Sequence, residues 1–536
     1  MPLLMERPPQ RALVPPNAAT TTYRAIGSRI VSRHTKEPPI MTEIATEHEK
    51  PRLTKSRELI IAVSIVLTQF VQMIPFGAGI TAAVAIGKDL GADQYASAWI
   101  AASYPLTQGA YVLMGGRLGQ IYGHKNVLMA AGAWWVIVTL ISGFTRNLVA
   151  LCTLRGLAGI GGAFMVPNSL ALLTITFPPG RMRNITVSMF GAMAPVGAAG
   201  GSIWPGIFVQ LTPWKYLFIF LSLLGAVVFT VFFFVVPSEG EPFDKGAPVD
   251  WVGAYLATTG LVLFNFVWNQ ASSVGWDEPY EYTLLIVSVL HLAAFNFWER
   301  NIAKVPILPF DIWTAPSFAP MIAAAFITFM AVGVVIWYIS IWEYTIRGYT
   351  ILLLGASYST LAVCGTGAAF ASGRAIRIIP AQHIMAIGAV ATAVSNILLA
   401  TMPTQQTYWA QVFPALICLA FGPDFIFTAA QIIASNAVKR RHQGIAGSLV
   451  GTVASYGMST GIGFASTVEV YTNDHGKDRI QRFRHALYLG IGMAGLAAFI
   501  ALVFVRIPKD IREGWDEDDN PNARPVVATA IEVTPK

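Results

Sequence analysis

Residues 217–236 read LFIFLSLLGAVVFTVFFFVV, an unbroken run without a charged side chain. A helix of roughly 20 such residues spans the hydrocarbon core of a bilayer. We identify fourteen mostly apolar stretches of about this length or longer, at 59–82, 95–116, 127–146, 148–173, 185–210, 214–236, 251–270, 281–299, 317–342, 351–372, 382–402, 408–436, 444–467 and 485–506. The sequence therefore predicts an all-α polytopic membrane protein with fourteen transmembrane helices, for which the lipid bilayer is an obligatory partner.

The composition agrees with a membrane protein. Of 536 residues, 54% are hydrophobic and only 12% are charged, whereas soluble domains carry about 25% charged residues. The net charge of +7 is small for this length, and we attribute it to cytosolic loops rather than to nucleic-acid binding. Cys152, Cys364 and Cys418 lie inside apolar stretches without metal-ligand spacing. We therefore expect no metal and no cofactor.

The orientation follows from the Lys and Arg residues of the short loops, which concentrate on the cytosolic side. One alternate set of loops carries most of them: Arg117, Lys125, Arg181, Arg183, Arg300, Lys304, Arg374, Arg377, Lys439, Arg440 and Arg441. We assign this set to the cytosol, which places both termini there too. Residues 468–484 disagree, because they are basic but fall outside; we expect them to pack as an ordered external segment.

The ends of the chain are polar. Residues 1–57 contain several prolines and arginines, and we interpret them as a disordered cytosolic tail; a mitochondrial targeting segment is the alternative. Residues 507–536 form a second cytosolic tail. We expect a multi-pass protein of the plasma membrane, with a vacuolar or other internal membrane as the alternative.

The chain contains an internal repeat. Gly191, Ala194, Gly197 and Gly201 recur 260 residues later as Gly451, Ala454, Gly457 and Gly461. Such a repeat predicts two similar halves with a substrate site between them. We assign 58–237 to an N-terminal six-helix bundle, 303–506 to a C-terminal one, and 238–302 to a linker that carries two inserted helices.

A glycine-rich loop follows the second apolar stretch and reads GGRLGQIYGHK over 115–125. It resembles the signature loop of the major facilitator superfamily, although Gln120 replaces the Asp of that pattern. In the family this Asp takes part in a cytosolic charge network, so the resemblance implies that the network is weaker or differently built here. We assign conformational gating to Gly116, Arg117, Gly123 and Lys125; a basic loop that serves topology alone is the alternative.

Two further motifs resemble drug:proton antiporters of the superfamily. Residues 155–163 read RGLAGIGGA, and in antiporters this arginine is associated with proton coupling; Arg155 is therefore a coupling candidate, unless it reaches the membrane surface. Residues 191–201 read GAMAPVGAAGG, a variant of the antiporter motif similar to fungal aminotriazole-resistance-type efflux pumps of the 14-span group. The resemblance assigns gating to Pro195, Gly197 and Gly201; generic small-residue packing is the alternative.

Asp424 is the candidate proton carrier, because it is the only carboxylate far from both ends of a predicted stretch. Ionisable groups inside a bundle commonly mark proton pathways, but a structural aspartate beside Pro423 is the alternative. Gln69, Gln72 and Gln431 are expected to line the substrate cavity. His291 is a second titratable candidate for which we favour a structural role.

These features predict a secondary transporter, without enzymatic activity, that exports a small amphiphilic drug, toxin or secondary metabolite in exchange for protons. The absence of an ATP-binding loop motif disfavours direct use of ATP by this chain. Proton-coupled uptake of a nutrient or small ion is the alternative, as is a membrane sensor that does not transport. We expect a monomer.

We predict that residues 271–280 are extracellular and both termini cytosolic. Asn184 begins a glycosylation sequence, Asn-Ile-Thr, yet it should stay unmodified because its loop faces the cytosol. Mobility shifts after glycosidase treatment measure this, with a sequon engineered into 271–280 as the positive control. Carbohydrate on native Asn184 would show that the orientation is the opposite of the one predicted here.

Overall fold

The computed structural model describes residues 54–177, 181–242, 244–308, 311–315, 317–376, 378–437, 443–472 and 478–506. The predicted tails lie outside these residues, except for 54–57. The described residues form helices and no β-strand. Membrane-spanning chains favour this arrangement because a helix satisfies its own backbone hydrogen bonds without water.

Sixteen α-helices are present in this part of the chain. They are α1 Lys55–Asp89, α2 Gln94–Tyr122, α3 His124–Ser142, α4 Leu148–Thr176, α5 Arg181–Leu211, α6 Lys215–Val235, α7 Trp251–Val274, α8 Pro279–Asn301, α9 Asp311–Thr314, α10 Phe318–Ile341, α11 Ile351–Ser357, α12 Ser359–Ala375, α13 Ala381–Ala400, α14 Val412–Ala437, α15 Gln443–Tyr471 and α16 Arg479–Val503. Each predicted stretch coincides with one long helix, or with α11 and α12 together. The predicted all-α membrane fold is confirmed.

Twelve of the described helical segments are long and apolar enough to cross a membrane. Helices α2 and α15 have the length, 29 residues each, but are more polar. They pack against each other in the centre of the protein, where Gln108 and Ser459 are buried. Polar residues on helices shielded from lipid lower the mean hydropathy without exposing polar groups to lipid. The count of fourteen spans stays a prediction.

Glycines bring α5 against α1. A Cβ on Gly201 would lie closer than 3.0 Å to the Ile74 carbonyl oxygen, and one on Gly197 would lie 2.8 Å from that of Phe70. Without side chains at these positions the two backbones can approach closely.

The second half repeats this packing between α15 and α10. A Cβ on Gly461 would lie closer than 3.0 Å to the Met330 carbonyl oxygen, and a Cβ on Gly457 would lie 2.9 Å from the Phe326 carbonyl oxygen. Gly77 of α1 and Gly333 of α10 are equivalent too, since each abuts a carbonyl of the partner helix. The glycine repeat in the sequence is therefore a repeat of helix–helix contacts.

The halves meet along two helix pairs, α2 with α15 and α12 with α5. A Cβ on Gly109 would lie 2.6 Å from Tyr456, and one on Gly365 would lie 2.5 Å from Pro195. The second interface widens towards one end: Gly355 lies against the Ser202 carbonyl, whereas a Cβ on Gly373 would be 4.0 Å from Ser188. Helices α5 and α12 are thus less closely packed at the end that carries Gly373.

The inserted helices differ in their surroundings. Helix α7 is tied to α15, because the Asn265 Nδ2 donates to Thr460 Oγ1 at 2.8 Å and the Tyr456 hydroxyl donates to the Leu261 carbonyl at 2.6 Å. Helix α8 packs against α7, and only Glu281 and Ser288 of its residues are buried. One inserted helix therefore belongs to the core and the other to the periphery. The domain boundaries at 237, 302 and 506 stay predictions.

The basic segment 468–484 is ordered where the structure describes it, as expected; Lys477 lies outside the described residues. Helix α16 begins at Arg479, six residues before the predicted stretch. Arg479 donates to the Gln94 side chain, and Arg484 donates to the Met402 carbonyl at 3.2 Å. These charges hold α16 against neighbouring helix ends.

We predict that Gly201→Ala and Gly461→Ala destabilise the protein to a similar extent, by about 1–3 kcal/mol, because each added methyl forces two backbones apart. Thermal unfolding in detergent, followed by fluorescence-detected size exclusion, measures the loss. Gly492→Ala in α16 is the matched control, since nothing lies within 4 Å of its Cβ position. Equal stability of all three variants would contradict the packing described here.

Candidate functional site

Asp424 lies in the middle of α14, directly after Pro423. Its Oδ2 atom is shielded from solvent and has no hydrogen-bond partner among the described residues. The same atom lies 3.5 Å from the Cβ position of Gly365, which also contacts Pro195. The carboxyl group therefore sits where α14 and α12 of one half meet α5 of the other.

An amide network extends from α1 to the opposite half. The Gln72 Nε2 donates to Gln69 Oε1 at 2.9 Å, and the Gln108 Nε2 donates to Gln72 Oε1. Ser455 of α15 donates to Gln108 Oε1 at 3.3 Å. All four side chains are buried. The two predicted cavity glutamines thus lie together on a path that crosses the interface between the halves.

Gln431 does not join this network. Its Nε2 donates to the Gly447 carbonyl at 3.0 Å, which links α14 to α15 within one half. It shares a helix with Asp424, seven residues away. The structure therefore places the third predicted cavity residue in a separate, half-buried position.

Arg155 is buried in α4 and does not reach the membrane surface, since its residue is only 3% exposed. Its Nε donates to the Ile100 carbonyl at 2.6 Å and its Nη2 to the Pro75 carbonyl at 2.9 Å. Gly79 leaves room for this guanidinium. Arg155 therefore joins α1, α2 and α4 through carbonyl dipoles, and among the described residues no hydrogen bond or ion pair connects it with Asp424.

The glycine-rich loop turns where Gly123 adopts a φ of 92°, a conformation that favours glycine. Arg117 forms an ion pair with Asp244 of the linker. It also donates a hydrogen bond to Gln120 Oε1 at 3.0 Å. The linker thus supplies an acid beside this loop, where position 120 has an amide. The role of this ion pair in a cytosolic charge network stays a prediction.

Two other residues of the glycine-rich loop, Lys125 and Gly116, contact further parts of the protein. Lys125 donates to the Phe233 carbonyl at 3.0 Å and to the Val236 carbonyl, so it binds the last turn of α6. A Cβ on Gly116 would lie 2.7 Å from Ser448 Oγ of α15. The loop therefore contacts α6, the linker and the other half at once; its gating role stays a prediction.

His291 lies away from these contacts. Its Nδ1 atom is 2.8 Å from the Val287 carbonyl of its own helix, and its ring packs at 5.9 Å from that of Tyr255. Both residues belong to the α7–α8 pair. This position agrees with the structural role favoured from the sequence.

Sequence reasoning missed Gln108, Asp244 and Glu469. Gln108 is the only amide in the 95–116 stretch, and that isolation was a usable signal. Asp244 has no local signal, because its partner lies 127 residues earlier.

Within the described residues no three His, Cys, Asp or Glu side chains converge on a point that could hold a metal ion.

A model of the Major Facilitator Superfamily matches residues 65–462. The chain belongs to this superfamily. Its members are transporters rather than enzymes, so a multi-pass transporter of small molecules is the coarse function of this chain. The solved structure of the human organic anion transporter MFSD10 matches with a TM-score of 0.57, covers 83% of this chain and 99% of that one, and is 13% identical; at this identity the likeness shows the fold alone.

Curated fungal relatives are much more similar in sequence. The low affinity ammonium transporter of Saccharomyces cerevisiae is 34% identical over 88% of this chain and 92% of that protein. The efflux pump terJ of Aspergillus terreus is 34% identical over 84% and 88%. The aminotriazole resistance protein of S. cerevisiae is 34% identical over 78% and 79%. The resemblance to aminotriazole-resistance-type pumps is confirmed at the level of relatedness.

We predict that Asp244→Asn loosens the linker from the glycine-rich loop, because Arg117 loses its ionic partner. Trypsin cleavage after Lys245 in inside-out vesicles should accelerate roughly two- to fivefold, the range of a partly exposed pair. Asp277→Asn is the control, since Asp277 is exposed and has no ion pair among the described residues. Equal cleavage rates for the two variants would contradict a stabilising Arg117–Asp244 pair.

Proposed function

We propose that this transporter exports a small amphiphilic organic compound in exchange for protons, by alternating access between the two halves. Its proposed location is the plasma membrane, with both termini in the cytosol, and its proposed form is a monomer. Relatives named as efflux pumps and as a drug-resistance protein support export. An inward proton gradient supplies the energy in this scheme, and Asp424 carries the proton.

The position of Asp424 is the observation that carries the proposal. A carboxylate whose oxygen is dry and unpartnered is costly to keep charged, so the site gains stability from a proton or from a cationic substrate. Gly365 and Pro195 meet beside it, so a change in its charge acts directly on the contact between the halves. That coupling is what an antiporter requires, because the proton must bias the conformational change.

The remaining candidates have graded roles in this scheme. Gln69 and Gln72 offer amides to the polar groups of the compound, and Gln431 offers one nearer Asp424. Arg155 modulates coupling indirectly, since its hydrogen bonds to two carbonyls fix α1 and α2 against α4.

The gating residues form two sets. Gly197 and Gly201 fix α5 against α1 within one half, and Pro195 contacts Gly365 of α12 across the interface between the halves. Gly116, Arg117, Gly123 and Lys125 hold the cytosolic end together through Asp244 and α6. At this end α2 still contacts α15, since a Cβ on Gly116 would lie 2.7 Å from Ser448 Oγ, whereas α5 and α12 are 4.0 Å apart at Gly373; we propose that the pathway opens to the cytosol between α5 and α12.

Uptake of a small ion is the second candidate, because one relative is named a low affinity ammonium transporter. Asp424 suits this function equally well, since an unpartnered carboxylate attracts a small cation. A membrane sensor that does not transport is the remaining alternative. Direction and substrate of movement therefore decide between the candidates.

The test uses purified protein in proteoliposomes with an imposed pH gradient. A panel of radiolabelled amphiphilic compounds and methylammonium is offered. Export by antiport predicts that at least one amphiphile moves against the proton flux, and that a protonophore abolishes this movement. If methylammonium or an amphiphile moves in the same direction as the protons, uptake is favoured instead. Absence of any gradient-driven movement would favour the sensor.

We predict that Asp424→Asn retains expression but abolishes gradient-driven accumulation, because an amide of similar size cannot exchange a proton. Substrate exchange without a gradient should persist, which separates loss of coupling from loss of folding. His291→Gln is the control and should accumulate like the native protein. Normal accumulation by Asp424→Asn would show that the proton carrier lies elsewhere.

A further inference from the structure

A second acidic residue lies between the halves, at the opposite end from the glycine-rich loop. Glu469, near the end of α15, is 1% exposed. Its Oε2 accepts a hydrogen bond of 2.7 Å from Tyr338 of α10, and its Oε1 accepts one of 3.2 Å from Tyr95 of α2. Tyr338 belongs to the same half as Glu469, whereas Tyr95 belongs to the other. One carboxylate thus joins the two halves.

A chain of donors continues from this carboxylate to the surface. Arg482 of α16 donates to the Tyr95 hydroxyl at 3.2 Å, and Arg479 donates to Gln94 beside it. The charged and titratable groups that face Glu469 are therefore Tyr95, Tyr338, Arg479 and Arg482. His485 contacts Thr472 at 2.9 Å instead. The two arginines explain why basic residues accumulate in a segment that the positive-inside pattern does not predict.

We propose that Glu469 is a second proton-binding site, which controls the opening of the outer end. This inference rests on the proposed proton-coupled export. A proton from the outside would add to the carboxylate and convert it to a neutral acid, which accepts weaker hydrogen bonds than a charged one. The link from Tyr95 to Glu469 across the interface then weakens, which leaves the links from Arg479 and Arg482 to α2 and favours separation of the halves at this end. Asp424 and Glu469 would act at different stages of one cycle.

The chemistry of the surroundings matches this role. Hydroxyl donors hold the charged carboxylate without a permanent direct countercharge, so protonation leaves no buried cation in immediate contact. Tyr95 lies at the start of α2 and is half-buried, which gives protons from outside a short path. At Asp424, in contrast, the described residues supply no donor. Glu469 is therefore organised as a latch and Asp424 as a carrier.

The experiment measures opening directly and needs no substrate. Ala102 is fully buried on α2, and its carbonyl accepts a hydrogen bond from Ser459 of α15. Ala102→Cys is introduced after replacement of Cys152, Cys364 and Cys418. A membrane-impermeant thiol reagent is added to right-side-out vesicles. Only the thiolate reacts, and its fraction falls as the pH falls, so each rate is divided by that of an exposed cysteine, Asp277→Cys, measured at the same pH. Between about pH 7.5 and about pH 5.5 outside, this relative labelling rate should rise roughly tenfold, the effect of weakening one hydrogen bond to a charged group.

Three variants in this background separate the latch from a merely structural contact. Glu469→Gln and Tyr95→Phe should label rapidly at both pH values, because neither can form the charged link across the interface. Tyr338→Phe is the matched control: it removes one donor to Glu469 but only within a half, so it should keep the pH dependence.

The results have defined consequences. Unchanged pH dependence in Glu469→Gln would overturn the proposal, as would rapid pH-independent labelling of Tyr338→Phe or parental labelling of Tyr95→Phe. The assay is independent of transport. If labelling depends on pH as expected but no export is observed, the proposed function alone is refuted. If export is observed but labelling does not depend on pH, export stands and the latch is refuted.

Discussion

Helix backbones in this protein approach one another more closely than side chains would allow. Gly201 and Gly461 abut carbonyl oxygens of Ile74 and Met330, and lipid supplies no hydrophobic drive to bring helices together, so dispersion over such close surfaces holds each half. The rest of the structure depends on this packing. It makes the α1/α5 pair and the α10/α15 pair stiff units, so that motion is confined to the interfaces between halves.

Polar chemistry occupies those interfaces. Gln72, Gln108 and Ser455 cross one of them, Glu469 bonds across the end of it that is remote from the glycine-rich loop, and Asp424 lies beside the other. A polar contact between rigid bodies has few intermediate geometries, since a hydrogen bond weakens steeply once it is stretched or bent. The halves are therefore suited to switch between discrete arrangements rather than to deform gradually.

The sequence predicted the helices well, because a run of roughly 20 apolar residues leaves few alternatives in a bilayer. It also predicted the repeat, since Gly197 and Gly457 recur with their neighbours. It failed where function depends on pairing between distant segments. Glu469 fell two residues beyond the predicted stretch that ends at 467, and Asp244 looked like an ordinary linker residue. Nothing local indicates that Tyr95 and Arg117 meet these acids, because tertiary packing alone brings them together.

The ties of α7 to α15 affect how such a protein can evolve. Asn265 and Asn269 bond to Thr460 and to the Ser459 carbonyl. Loss of the inserted pair would turn these groups towards lipid, where each unsatisfied polar group costs several kcal/mol. A shorter descendant would need simultaneous apolar replacements along this face of α15. The two helices are thus bound to the bundle by contacts whose loss only coordinated substitutions on α15 could offset.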